Sequence, residues 1–224
     1  MSEKSIDLVI GGTSGLGLEI ATRLSEERPT VVTGRHDPER EVLTFHELDL
    51  AAGPELPSRL EALFAELPRV ETLVYAAGFY QEGRVDELSV EDIEQMIDVG
   101  ERGLVYAVRE ALRRQGELNE LITITSTSQW TPREKEPVYN LVKAGAGHFS
   151  SAAAQDPRIH KVLVAGPAGM DTPFWDGIDR AGLGEMLDPA WVAEQVMELR
   201  SGDYVYNFTQ ILRDPPRVHT VEQR

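Results

Sequence analysis

Two residues carry the clearest chemistry in this chain, Tyr139 and Lys143, the ends of the stretch Tyr-Asn-Leu-Val-Lys. Residues four apart on a helix share a face, so a phenol and an ammonium would project side by side. Free tyrosine has a pKa of about 10 and exchanges protons poorly at neutral pH. A fixed positive charge within reach favours the phenolate and brings that value toward the working range. Tyr-x-x-x-Lys is thus a sound acid/base unit. Most such pairs are surface neighbours, so its meaning depends on what else the chain brings to it.

A second chemistry sits near the N-terminus. Residues 7–10 form a short, mainly apolar run that stops at Gly11, and the run Gly11-Gly12-Thr13-Ser14-Gly15-Leu16-Gly17 follows. Helical periodicity then runs over 18–27. Strand, glycine-rich turn and helix in that order is the context of a nucleotide loop. Gly11 permits the tight turn, and Gly15 lets a pyrophosphate approach the helix N-terminus, whose free N–H groups and dipole favour an anion. Gly17 allows the helix to pack on the sheet, and Thr13 and Ser14 offer hydroxyls to phosphate. The alternative is a plain strand-to-helix turn.

A second strand, 30–33, ends at Gly34-Arg35. In a dinucleotide fold this position meets the adenosine ribose, where an acidic side chain binds a free 2′-hydroxyl. Arg35 instead suits a 2′-phosphate, so NADP(H) is expected ahead of NAD(H). A solvated loop arginine is the competing reading. After a third strand, 42–48, Asp49 could accept from an adenine amino group or cap the next turn, with Leu50 beside it. The strand 72–75 runs into Ala76-Ala77-Gly78, small enough for a cofactor ring to lie over the backbone.

The connecting elements follow from periodicity. Helices are expected at 54–67 and at 190–200, and one continuous helix from a Ser89/Asp92 capping box to about Arg114, stopped by Gly116. Strands are expected at 121–125, 160–165 and 204–212. The helix bearing Tyr139 and Lys143 runs to about Ala154. Residues 173–188 lack periodicity and carry Phe174 and Trp175, which suggests a substrate lid or a packed loop. The tail from Asp214 holds two prolines and reads as loose. Strands alternating with helices imply one α/β domain, 1–224, with a doubly wound parallel sheet, the Rossmann fold, and helices on both faces.

Bulk properties exclude several functions. A formal charge of -16 argues against nucleic acid and anionic membranes as partners. With no cysteine, the chain has no disulfide, thiolate metal site or cysteine nucleophile. No metal site is expected. Neither a signal peptide nor an apolar run near the ~18 residues of a membrane span is visible. A cytoplasmic protein is expected.

By its motifs the chain resembles the short-chain dehydrogenase/reductase family over nearly its whole length. Gly11-x-x-x-Gly15-x-Gly17 matches the family's glycine motif. Tyr75-Ala76-Ala77-Gly78 matches Asn-Asn-Ala-Gly with both asparagines lost. Ser126 precedes Tyr139 by thirteen residues, the spacing of the family's catalytic serine. The segment Pro167-Ala168-Gly169-Met170-Asp171-Thr172 resembles Pro-Gly-x-x-x-Thr. The resemblance implies that Tyr139 exchanges a proton with a carbonyl or alcohol oxygen as hydride moves to or from a nicotinamide. It implies that Lys143 binds the nicotinamide ribose and lowers the tyrosine pKa, that Ser126 holds the substrate oxygen, and that Thr172 touches the carboxamide. Pro167, Gly169, Met170 and Leu16 fall within the same motifs. A homodimer or homotetramer is implied as well, with a small carbonyl or alcohol as substrate. One departure stands out: Gly100 occupies the place of a helix asparagine that in the family holds a proton-relay water. A cofactor-binding sensor with weak or no catalysis is therefore the alternative.

Overall fold

The computed structural model describes residues 5–176 and 184–224. Eight strands form one sheet in the order β3-β2-β1-β4-β5-β6-β7-β8. They are β1 (Ser5–Ile10), β2 (Thr30–Gly34), β3 (Leu43–Glu47), β4 (Arg69–Tyr75), β5 (Leu118–Ile124), β6 (Ile159–Pro167), β7 (Tyr206–Leu212) and β8 (Arg217–Gln223). All neighbours pair in parallel except β7 and β8. The strand order reverses between β1 and β4, so their carboxyl ends open a crevice of the kind that takes ligands in such sheets.

Helices cover both faces. They are α1 (Gly15–Leu24), α2 (Leu56–Glu66), α3 (Val90–Ile97), α4 (Gly103–Gln115), α5 (Pro137–Ala153) and α6 (Pro189–Arg200). Strand residues alternate between two apolar layers. Leu8, Ile10 and Leu73 face the layer that holds α2 and α4, while Val9, Val32 and Val74 face the layer of α1 and α6. Burial on both faces explains why the central strands read as continuous apolar runs.

Two expectations from sequence are corrected. The tail after Asp214 is not loose: β8 lies antiparallel on β7, from Asn207 against Gln223 to Leu212 against Arg217. Its side chains are mostly exposed, so it is held by backbone hydrogen bonds and shows no apolar period to detect. The long helix is also not continuous. Its capping box forms as expected, Ser89 accepting from the Asp92 N–H, but a π-helical turn, Asp98–Arg102, separates α3 from α4. Gly116 closes α4 with φ +83°. Of 173–188, Pro173–Trp175 forms a short 3-10 turn, and 177–183 lie outside the described residues.

Candidate active site

At the end of β1 the chain must turn beneath β4. Gly11 adopts φ +81°, and a Cβ there would stand 2.5 Å from the Ala77 nitrogen. A Cβ on Gly17 would meet the Gly11 carbonyl oxygen at 2.1 Å. Both positions therefore require glycine. Ser14 caps α1 without a side-chain hydrogen bond, and no acidic residue stands in the first turn. The first N–H groups of α1 are left uncapped by side chains and face the crevice with Thr13, Ser14, Gly15 and Leu16 on its wall. That arrangement fits a phosphate.

Arg35, just past β2, is exposed and has no carboxylate partner among the described residues. Gly34 makes room for Thr13, because a Cβ there would lie 2.2 Å from its Oγ1. Asp49 accepts from the Ala51 N–H at 3.0 Å, so its turn-capping role is real, and it also borders the cleft beside Leu50. The cleft spans about 460 Å³, and every residue expected from sequence to be catalytic or to hold the cofactor lines it. On the far side Ala76, Ala77 and Gly78 leave β4, while Pro167, Gly169, Met170 and Thr172 follow β6. A Cβ on Gly78 would lie 3.6 Å from Lys143 Nζ.

Helix α5 brings the acid/base pair in. Pro137 starts it, and Val138, Val142 and Ala146 fix it against the body. Tyr139 is 8% and Lys143 5% exposed. Lys143 Nζ donates to the Ile124 carbonyl at 3.2 Å and lies 5.7 Å from the centre of the Tyr139 ring. Burial lowers the Lys143 pKa to about 8. Burial also raises the Tyr139 pKa, the Ser126 hydroxyl and Arg133 pull it down, and Glu136 and Tyr80 push it up. The expected depression of the tyrosine by Lys143 is therefore not found: desolvation of the phenol dominates, and Lys143 is not among the groups that shift it.

Ser126, two residues past β5, caps the 3-10 turn Thr127–Gln129, accepting from the Ser128 N–H at 3.2 Å. Ser128 Oγ donates to Glu136 at 2.8 Å and accepts from Arg133 at 2.6 Å. Arg133 also donates to Glu136 at 2.9 Å and to the Thr127 hydroxyl at 2.9 Å. Sequence reasoning did not single out Arg133 or Glu136. Their i,i+3 spacing just ahead of α5 was the available signal. Tyr80, Phe174 and Trp175 close the outer wall, with the Tyr80 ring 5.0 Å from Tyr139, edge to face.

The Gly100 departure has a packing cause. A Cβ at Gly100 would stand 1.9 Å from Val142 Cγ1, so the valine fills the place a side chain would take. The π turn is met from the other side by Tyr75, whose hydroxyl donates to the Val99 carbonyl at 2.5 Å. Gly103 admits that hydroxyl, since a Cβ there would be 2.1 Å from it. Asp98, one candidate substitute for the missing asparagine, is instead engaged with Arg102 and accepts from the Gly53 N–H at 2.9 Å. Glu101 packs against Gly145, and burial raises its pKa.

A doubly wound sheet, a glycine turn and a buried Tyr/Lys pair define a class of nucleotide-binding α/β proteins. The profile of the short chain dehydrogenase family matches residues 5–181. The chain belongs to that oxidoreductase family. It is 26% identical over 203 residues to the uncharacterized oxidoreductase YohF of Escherichia coli K12, covering 83% of this chain and 80% of that protein. It is 33% identical over 157 residues to the NADP-dependent 3-hydroxy acid dehydrogenase YdfG of Shigella flexneri, covering 65% and 63%. Among solved structures, the closed form of serine dehydrogenase complexed with NADP+ superposes with a TM-score of 0.77 at 27% identity, covering 88% of this chain and 90% of that one. No helix among the described residues is long and apolar enough to cross a membrane.

Proposed function

We propose that the chain is an NADP(H)-dependent oxidoreductase that interconverts a small alcohol and its carbonyl compound, with Tyr139 as general acid/base. The observation that carries this reading is the placement of Ser126, Tyr139 and Lys143 in one cleft with the uncapped N-terminus of α1 and with Arg35, which has no carboxylate partner among the described residues. Two relatives support it by name, one NADP-dependent and one solved with NADP+. Their substrates, a 3-hydroxy acid and serine, are both alcohols.

The nicotinamide cofactor would supply or accept the hydride. Thr13, Ser14, Gly15 and Leu16 would hold its pyrophosphate at α1, and Arg35 its 2′-phosphate. Asp49 and Leu50 would border the adenine, and Ala76 to Gly78 would leave room for the ring. Pro167, Gly169, Met170 and Thr172 would border the nicotinamide end. Tyr139 would give its phenolic proton to the carbonyl oxygen, or take one from the alcohol. Lys143, with a pKa near 8, is mostly charged at neutral pH and would hold the ribose while stabilising the phenolate. Ser126 would fix the substrate oxygen by hydrogen bond. The exposed Val105 of α4 and Leu141 of α5 would support a homodimer or homotetramer, and a chain without cysteine suits the cytoplasm.

A second reading, a cofactor-binding sensor with weak catalysis, is favoured by one observation. Val142 fills the space beside Gly100 where the family's relay side chain would sit. A thermal-shift titration tests both readings. NADPH is expected to stabilise the protein more than NADH does. Equal stabilisation would undo the Arg35 argument, and no stabilisation by either would undo cofactor binding. Carbonyl turnover then separates enzyme from sensor.

A further inference from the structure

In a chain with a formal charge of -16, the cleft is the reverse among the described residues: its lining carries Arg35, Arg133, Lys143 and Arg213 against the two carboxylates Asp49 and Glu136. Three of those cations have work already. Arg133 is paired with Glu136, Lys143 is bonded to Ile124 beside Tyr139, and Arg35 stands at the ribose position. Arg213 has no such partner. Among the described residues its guanidinium makes two contacts at the outer limit of a hydrogen bond, 3.5 Å to the Glu185 carbonyl and 3.5 Å to Met186 Sδ. Neither Asp214, next in sequence, nor any other described carboxylate forms an ion pair with it.

Among the described residues, the other arginines without a carboxylate partner, Arg35, Arg40, Arg114 and Arg217, are exposed to solvent, whereas Arg213 is half-buried. A guanidinium has five donors and a fixed charge, and removing it from water without an anion is unfavourable. A half-buried guanidinium on the wall of a cleft is placed to receive a ligand that supplies the anion.

Position selects the ligand. Arg213 directly follows β7, and its head lies 3.4 Å from where a Cβ of Gly169 would stand. Ser126 lies two residues past the end of β5, and β6 separates the two strands. At about 4.8 Å per strand, their ends lie about 10 Å apart across the sheet. A long arginine side chain and a short acid together span that gap, with the hydroxyl at Ser126 and Tyr139.

We propose that Arg213 binds a carboxylate on the substrate, which makes the substrate a short hydroxy acid or its oxo acid. This rests on the oxidoreductase reading above. The test uses the full-length protein with NADP+ in thermal-shift and turnover assays. Probes are the two enantiomers of 3-hydroxybutyrate, L-serine, and the methyl ester of each. The acids are expected to stabilise the NADP+-loaded protein and to turn over, with the esters weaker by about 10- to 100-fold, the worth of a charge-assisted bidentate contact. Arg213→Gln is expected to erase the acid preference through KM while the shift given by NADP+ alone stays unchanged. Arg213→Lys should restore part of it. Acids and esters behaving alike, binding of no acid at all, or an acid preference that survives Arg213→Gln and disappears only in Arg133→Gln would each overturn the assignment. Loss of the NADP+ shift in the wild type would instead overturn the cofactor reading beneath it.

Discussion

Replacing Gly100 by alanine should destabilise this protein, although glycine-to-alanine inside a helix ordinarily stabilises by up to about 1 kcal/mol. The sign reverses because the new Cβ would stand 1.9 Å from Val142 Cγ1, where carbon atoms pack at about 3.5–4.0 Å. Val142 is 1% exposed, and a β-branched side chain on a helix has essentially one comfortable rotamer. It cannot swing aside cheaply. Overpacking costs about 1–3 kcal/mol, and so close an approach to a fixed side chain puts this case at the upper end, about 2–3 kcal/mol, so after a propensity gain of up to about 1 kcal/mol the net loss is about 1–2 kcal/mol. For a chain of this size that corresponds to a Tm fall of roughly 2–8 °C. Val142→Ala alone should cost about 1–3 kcal/mol by removing two buried methyl groups. The double variant should be more stable than the two single losses added together, by about 1 kcal/mol or more, because each change relieves the other. Chemical denaturation of the four proteins in one buffer measures this cycle. A Gly100→Ala protein as stable as wild type, or strictly additive losses, would refute the claim that Val142 occupies the position.

Other consequences can be measured directly. Lys143 has a folded pKa lowered from 10.5 to about 8 by burial, so between these values the unfolded chain binds more protons. Stability should therefore rise as pH goes from about 8 to 10.5, by up to about 3 kcal/mol, and Lys143→Met should remove that rise while abolishing turnover; a pH-independent wild type would contradict it. Arg35→Ala should weaken NADPH about 10- to 100-fold and leave NADH nearly unchanged, as read by isothermal titration. Gly11→Ala should cost several kcal/mol of stability or prevent folding, since φ +81° and the 2.5 Å approach to Ala77 both exclude a Cβ. Denaturant midpoints check it, and a stable Gly11→Ala protein would sink the packing account of the turn.

What could be read from sequence was the chemistry written in residue type and short spacing. The glycine turn, the Tyr139/Lys143 pair and Ser126 all came from local patterns, and the structure gathers them into one cleft. Buried parallel strands announce themselves because both faces are apolar. Strand β8 did not, because its stability lies in a backbone ladder that any sequence can form. The π turn was hidden for another reason: Asp98 to Arg102 keep helical spacing, and only the approach of Tyr75 from β4 and Val142 from α5 shows why the helix widens there. Arg213 was passed over because its significance is the absence of a partner, which no single chain position reveals. The tyrosine pKa likewise depends on how completely the phenol is desolvated, a property of the assembled site.

The most direct test of the account is cofactor turnover by wild type and Tyr139→Phe in parallel. NADPH consumption is followed with a broad set of small ketones, aldehydes and oxo acids, and NADPH formation with the matching alcohols. The account predicts turnover of at least one pair by the wild type and none above background by Tyr139→Phe, with NADPH binding retained in both. Turnover that survives the loss of the phenol, or a wild type that binds NADPH and reduces nothing, would contradict it.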